Sequence, residues 1–222
     1  PTVSVVDSLD TGTLFRNEAI AKTGLKVFAN TEVLDVETED EPGTGLQKVT
    51  AVVTDKGRIE AEYVVVACGV WSNRIANMAG ATIPLVPAVH QMADVGPMDV
   101  LAETQSEISY PIVRDMDTFC YERQSSGSME VGSYAHRPIL HHPDDIPSNE
   151  EAALSPTEMP FTPDDFDQQM EEAIELMDML GDAEIKYAIN GLLSLTPDAM
   201  PCLGETTEVR NLWSAAAVWV KE

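Results

Sequence analysis

The residues able to do chemistry in this chain are few, and their spacing limits what that chemistry is. The apolar run Tyr63-Val-Val-Val-Ala-Cys68 ends in Gly69 and a helix-like segment from Trp71 to Met78. A strand that delivers Ala67, Cys68 and Gly69 to a helix start brings bare backbone to the carboxyl end of a sheet, where α/β proteins hold ligands. None of the 13 glycines forms G-x-G-x-x-G or G-x-x-x-x-G-K-[ST], so these residues contain no phosphate loop of either kind. His90 follows Val-Pro-Ala-Val and, taken alone, reads as a satisfied core or edge histidine. His136 is followed by Arg137 and Pro138, and His141 and His142 by Pro143, a polar-loop pattern rather than a metal centre. Cys68, Cys120 and Cys202 lie far apart with no C-x-x-C spacing, so neither a zinc site nor a disulfide framework is signalled. A reducing, cytoplasmic setting is expected, with Cys68 a small buried hydrophobe rather than a reactive thiol.

Charge narrows the partners. Lys and Arg number 13 against 38 Asp and Glu, a formal net charge of −25 that repels phosphate backbones and anionic headgroups. Nucleic acid and membrane surfaces are therefore disfavoured as partners. From Asp144 to Glu184 there is no Lys or Arg at all, which describes a solvated acidic surface. No apolar run approaches the roughly 20 residues that span a bilayer. Pro1 to Ser8 has neither a basic region nor an apolar stretch of signal-peptide type, and the absent initiator methionine suggests a cut N-terminus.

The elements that must position these residues change style along the chain. Thr13 to Lys22 resembles the end of a helix capped by Gly24, followed by a short strand Leu25 to Ala29 that Val33 to Val36 continues. A loop is expected from Glu37 to Gly45. Then Val49 to Thr54 and Arg58 to Ala61 flank Asp55-Lys-Gly57 as a β-hairpin. Tyr63 to Cys68 suits a strand buried on both faces. From Pro84 to about Tyr134 short β segments alternate with turns, at Leu85 to Met92, Tyr110 to Arg114, Thr118 to Arg123 and Ser128 to Tyr134, as in an antiparallel sheet. Thr162-Pro-Asp-Asp165 opens a helix on which Phe166, Met170, Ile174 and Met177 recur at helical spacing up to Gly181, its methionines serving as core. Ile185 to Leu195 and Leu212 to Val220 are strand-like, with a turn at Thr196 to Ala199.

Five stretches, in order, resemble the flavin-dependent amine oxidoreductases, the family of sarcosine and dimethylglycine oxidases and dehydrogenases and of D-amino acid oxidase. They are Glu62-Tyr-Val-Val-Val-Ala-Cys-Gly-Val-Trp-Ser72, Pro84-Leu-Val-Pro-Ala-Val-His-Gln91, Gly132-Ser-Tyr-Ala-His-Arg-Pro138, Asn190-Gly-Leu-Leu-Ser-Leu-Thr-Pro-Asp198 with Pro201 to Glu205, and Ala216-Ala-Val-Trp-Val220. The likeness covers nearly the whole chain and is greatest to the dimethylglycine oxidase branch. It implies an α/β (α+β) fold of p-hydroxybenzoate-hydroxylase type. Residues 1–83 and 190–222 would be the remnant of a Rossmann-like FAD-binding domain, and residues 84–189 a β-rich, antiparallel-sheet substrate domain with one long helix near 163–180.

The departures imply an internal fragment. The family's G-x-G-x-x-G unit, the histidine that carries flavin covalently in some members and the glycine-rich segment after the last strand all fall outside residues 1–222. The resemblance sets Glu32 and Val33 beside the adenine, Ala67, Cys68 and Gly69 beside the FAD backbone, and Trp71 at the next helix start. It reverses the bland reading of His90, which with Tyr121 becomes the expected catalytic pair: the histidine shares the amine proton and the phenol orients the substrate. Tyr134 and Arg123 are the expected substrate-binding residues, and Arg114 the alternative arginine for a carboxylate clamp. The implied activity is oxidation of the C–N bond of an N-methylated glycine or similar small amino acid, by hydride transfer to FAD. The rivals are a D-amino acid or glycine oxidase and a non-catalytic subunit that keeps the fold without flavin. This stretch alone is expected to be colourless, inactive and prone to self-association through exposed FAD-domain surface.

Overall fold

Backbone pairing sorts the strands into three sheets among the described residues, which in this computed structural model are 6–104, 106–152 and 155–218. The elements in chain order are α1 (Ser8–Thr23), β1 (Val33–Asp40), β2 (Gln47–Thr54), β3 (Gly57–Glu60), β4 (Val64–Val66), α2 (Ser72–Met78), β5 (Val86–Val95), β6 (Val113–Asp115), β7 (Cys120–Ser125) and β8 (Ser128–Ser133). They continue with β9 (Glu158–Met159), α3 (Pro163–Leu176), β10 (Ile185–Leu195), β11 (Cys202–Glu205), β12 (Val209–Arg210) and β13 (Leu212–Ala216).

The first two sheets and α2 share one core. β1, β2 and β12 lie side by side with β3 paired to β2, and β4 runs parallel to β13, which pairs with β11. Val36, Val49, Val66, Ala76, Ile83, Val209 and Leu212 are buried together between them. The hairpin expected around Gly57 is present, with Thr54 opposite Gly57 and a φ of 131° that suits a residue without a Cβ. Gly24 caps α1 in the left-handed conformation, as its position suggests.

Several local expectations are overturned. Leu25 to Ala29 forms no strand, and Leu25, Val27 and Phe28 are exposed, because no strand among the described residues offers that backbone a partner. The acid-rich segment after Val36 is not loop from Glu37 onward: β1 continues to Asp40. Arg58 stands over its acids, bonding Glu37 at 2.8 Å and Glu60 at 2.9 Å, so like charges on the ladder are offset. The Tyr63 to Cys68 run contributes only three strand residues and is not buried on both faces. β4 is an edge strand with Val66 1% exposed and Val65 58% exposed. The final strand stops at Ala216, since Ala217 takes a φ of 55°; Trp219 and Val220 lie outside the described residues.

The third sheet is six-stranded in the order β6-β7-β8-β5-β10-β9, antiparallel throughout as expected. Residue 190 lies within β10, which pairs with β5 from Ile185 to Leu195. Helix α3 covers one face. Phe166 and Ala173 pack on Ala93, Val95, Met129 and Val131, and the helix ends at Leu176, with a tight turn at Asp178–Asp182 completing the cover. Thr162 stands at the N-cap position but gives its hydroxyl to the sheet: Gln91 and Asn190 both donate side-chain N–H groups to Thr162 Oγ1, at 3.1 and 3.0 Å. The start of α3 is thereby fixed to β5 and β10 directly behind His90.

Candidate active site

Side-chain alternation decides which residues face α3 and which face away. On β5 the buried Gln91, Ala93 and Val95 point toward α3, so His90 and Met92 point to the opposite face. On β7 Cys120, Glu122 and Gln124 are buried, and Tyr121 and Arg123 take the other face. On β8 Met129 and Val131 pack under α3, which leaves Glu130, Gly132 and the following Tyr134 on the side of His90. The two residues expected to act together therefore share the face opposite α3.

They also touch. His90 Nε2 and the Tyr121 hydroxyl are 2.9 Å apart with one proton shared between them, and the rings stack with centroids 5.6 Å apart. Tyr134 stacks closer on His90, at 4.3 Å and 20°, so the imidazole is held on two sides. Burial pulls the His90 pKa down to about 4, helped by the nearby His136 and only partly offset by the Ser133 backbone. Nδ1 is itself buried and meets no partner in hydrogen-bonding geometry among the described residues. The imidazole is thus neutral at neutral pH. Burial pushes both phenols up, and Arg114 works against the shift in Tyr121 and in Tyr134. All three rings are uncharged under ordinary conditions.

The two arginines of this face differ. Arg123 is committed to Glu130, with Nη2 2.6 Å and Nε 2.8 Å from the same carboxylate oxygen. Arg114 stands directly opposite Tyr121 across the β6–β7 pair, with its backbone position exposed. The family resemblance named both arginines as candidate substrate partners; the pairing of Arg123 with Glu130 follows from the β7–β8 register.

The residues expected to meet a flavin lie apart from this cluster, around β1, β4 and α2. Val33 and Cys68 are half-buried against the same core, whereas Ala67 and Gly69 are exposed at the end of β4. Burial pushes the Cys68 thiol up, as befits a small hydrophobe. Gly69 has a φ of 54°, and a Cβ added there would meet nothing within 4 Å, so its backbone is bare to an approaching group. Ser72 donates its hydroxyl to the Gly69 carbonyl at 2.8 Å and fixes the turn. Trp71 packs against the cluster of Val70, Val89, Ile146 and Leu192 while lining a cleft of about 880 Å³ with Glu32, Asp55 and Arg74. Glu32 and Asp55 are locked together, the Glu32 amide donating to Asp55 Oδ1 at 2.9 Å and the Asp55 amide to the Glu32 carbonyl at 3.1 Å. Such a cleft offers carboxylate acceptors and an aromatic wall, which fit the ribose and adenine of FAD. For the pyrophosphate it offers Arg74 as its one cation among the described residues, against the carboxylates of Glu32, Asp55 and Glu150, a net negative lining that suits the nucleoside better.

The structure thus sets a histidine and two phenols on the sheet face opposite α3, and separately a cleft lined by Glu32, Asp55, Trp71 and Arg74. The chain belongs to the FAD dependent oxidoreductase family, whose model matches residues 5–218. It is 30% identical over 215 residues to the mitochondrial sarcosine dehydrogenase of Mus musculus, covering 96% of this chain and 22% of that protein. It is 31% identical over 168 residues to the 4-methylaminobutanoate oxidase (formaldehyde-forming) of Paenarthrobacter nicotinovorans, covering 76% of this chain and 19% of that protein. The chain therefore spans about a fifth of the length of these curated relatives. Among solved structures, the L-proline dehydrogenase from P. horikoshii superposes with a TM-score of 0.71 at 23% identity, over 96% of this chain and 50% of that one. The family expectation, the FAD cofactor and the α/β fold class are confirmed by these matches.

Proposed function

We propose that this chain supplies the substrate face of an FAD-dependent oxidoreductase that oxidises the C–N bond of a small amino acid, N-methylated glycine foremost. The observation that carries the reading is the His90–Tyr121–Tyr134 cluster on the face of the sheet opposite α3. Bound FAD supplies the hydride acceptor. The chain's own part is to bind the amine in its neutral form and hold it still. Desolvation at uncharged rings penalises an ammonium ion, so the site favours the lone-pair form that oxidation needs. An incoming ammonium would give up its proton to solvent, with the Tyr121 hydroxyl and His90 Nε2 as the hydrogen-bonded relay that stays neutral overall, and the Tyr134 stack holds the imidazole plane.

Val33, Ala67, Cys68, Gly69 and Trp71 serve the adenosine side of FAD, with residues 1–83 and 190–222 as the flavin-binding part and 84–189 as the substrate part. Arg123 supports the face through Glu130. The rival reading is a D-amino acid or glycine oxidase; a carboxylate partner near Tyr121, such as Arg114 on the neighbouring strand, would serve either reading, and the identity of the amine substrate separates them. Three free cysteines suit a reducing compartment such as the cytoplasm.

The test is anaerobic mixing of the flavin-loaded protein with sarcosine, dimethylglycine, glycine or a D-amino acid, followed by flavin absorbance. Bleaching by the N-methylated glycines supports the first reading, and bleaching only by glycine or D-amino acids supports the second. A full-length protein that holds no flavin, or whose flavin no amine bleaches, would be a non-catalytic bearer of the fold.

A further inference from the structure

Tyr121 belongs to β7 and His90 to β5, yet their side chains bond although β8 runs between the two strands. Strands two places apart in a sheet are separated by about 9–10 Å, and a side chain on the intervening strand would stand in the path. The residue directly opposite Tyr121 on β8 is Gly132. A Cβ built there would overlap the Tyr121 Cζ, Cε1 and hydroxyl oxygen, so the phenol ring lies flat on the glycine backbone. Gly132 has no left-handed φ to explain it, and glycine in a strand interior weakens the strand. Close approach of another group is the remaining physical reason for a glycine here.

We infer that Gly132 is a positioning residue: by leaving β8 without a side chain at that point, it lets Tyr121 cross the strand and reach His90. The inference rests on the reading of His90 and Tyr121 as the working pair, but the placement of the ring does not. Any side chain at 132 lifts the phenol away from the sheet, exposes it and breaks the bond to Nε2.

The experiment compares Gly132→Ala, Tyr121→Phe and Gly132→Ala/Tyr121→Phe with the unaltered flavin-loaded protein. Spectrophotometric tyrosine titration reads the ring position without reference to activity. Gly132→Ala should gain one phenol that ionises near the ordinary value of about 10, and the double variant should lose that gain. An unchanged titration in Gly132→Ala overturns the inference. If the single variant fails to fold, Gly132→Ala/Tyr121→Ser, which removes the overlapping ring, should recover flavin-loaded protein; failure to recover it also overturns the inference. In parallel, Gly132→Ala should slow anaerobic flavin reduction about as much as Tyr121→Phe, on the order of 10²-fold. If the titration shifts while both variants reduce flavin at the unaltered rate, Gly132 places the ring as inferred and the catalytic reading of the pair is what fails.

Discussion

The ring of Tyr134 lies on that of His90 with centroids 4.3 Å apart and planes 20° from parallel, while Tyr121 holds His90 Nε2 from another strand at 2.9 Å. An imidazole held from two sides has one orientation available to it, and that orientation faces the side of the sheet that α3 does not cover. A catalytic group gains most from such prior fixing, because the cost of ordering it is met in folding rather than in binding.

His90→Gln and Tyr121→Phe should each leave flavin bound and slow its reduction by dimethylglycine or sarcosine. The expected loss is about 10²–10⁴-fold for a proton-handling role. Stopped-flow reduction with each variant beside the unaltered protein measures it. Rates and affinities equal to the parent's would move the chemistry away from this pair, and loss of flavin would assign both residues to the fold.

With the His90 pKa held near 4, the pH profile of reduction should show no histidine inflection near the ordinary value of about 6.5. The rate should instead rise with the fraction of neutral substrate amine as pH increases from 6 to 10. An inflection near 6.5 that vanishes in His90→Gln would show the histidine to be wetter and more basic than its burial implies.

Glu122 is fully buried behind Tyr121, with neither carboxyl oxygen bonded among the described residues, and burial followed by the charge of Asp115 raises its pKa to about 7. An unfolded glutamate titrates near 4.3, so between about 4.3 and 7 the folded chain holds the extra proton and stability falls as pH rises. His90 acts in the opposite sense between about 4 and 6.5, which is why the comparison must be made between variants. Glu122→Gln keeps the shape of the protonated group and should melt several degrees above the parent at pH 8, corresponding to about 1–3 kcal/mol, with little difference at pH 5. Parallel melting curves across pH 5 to 9 would contradict this.

Arg114→Met should raise the apparent KM for dimethylglycine at least about tenfold while leaving the limiting reduction rate near the parent's, the pattern of lost uniform binding. Arg123→Met should change KM little but lower the melting temperature, since it leaves the half-buried Glu130 without its cation. The reverse pattern would restore Arg123 as the carboxylate partner.

Residues 1–222 expressed alone should purify without stoichiometric flavin, because the described cleft suits adenosine and these residues contain no glycine-rich phosphate loop. The exposed Leu25, Val27, Phe28, Val65 and Trp213 should then drive self-association. A yellow chain at full occupancy, or a monomer by light scattering at high concentration, would contradict one half of this expectation or the other.

Local signals were sufficient for much of this molecule. Gly24 as a helix cap, the two-residue turn before Gly57, the Thr162-Pro163 helix start and the alternating segments from Leu85 to Tyr134 depend on neighbours a few residues away, and each is legible along the chain. The family resemblance is also a property of sequence, since its five stretches keep their order. Alternation even assigns His90, Tyr121 and Tyr134 to one side of their own strands. What it does not contain is which strands lie beside each other, because pairing is decided by contacts between distant residues. The order β7-β8-β5 brought Tyr121 across Gly132 to His90, and the β7–β8 register gave Arg123 to Glu130. The same dependence works in the negative: Leu25 to Ala29 has the composition of a strand but finds no backbone partner among the described residues, and Val65 has the composition of a core residue but lies on an edge. Composition sets what a segment is able to bury, and only the assembled sheet decides whether anything is there to bury it against.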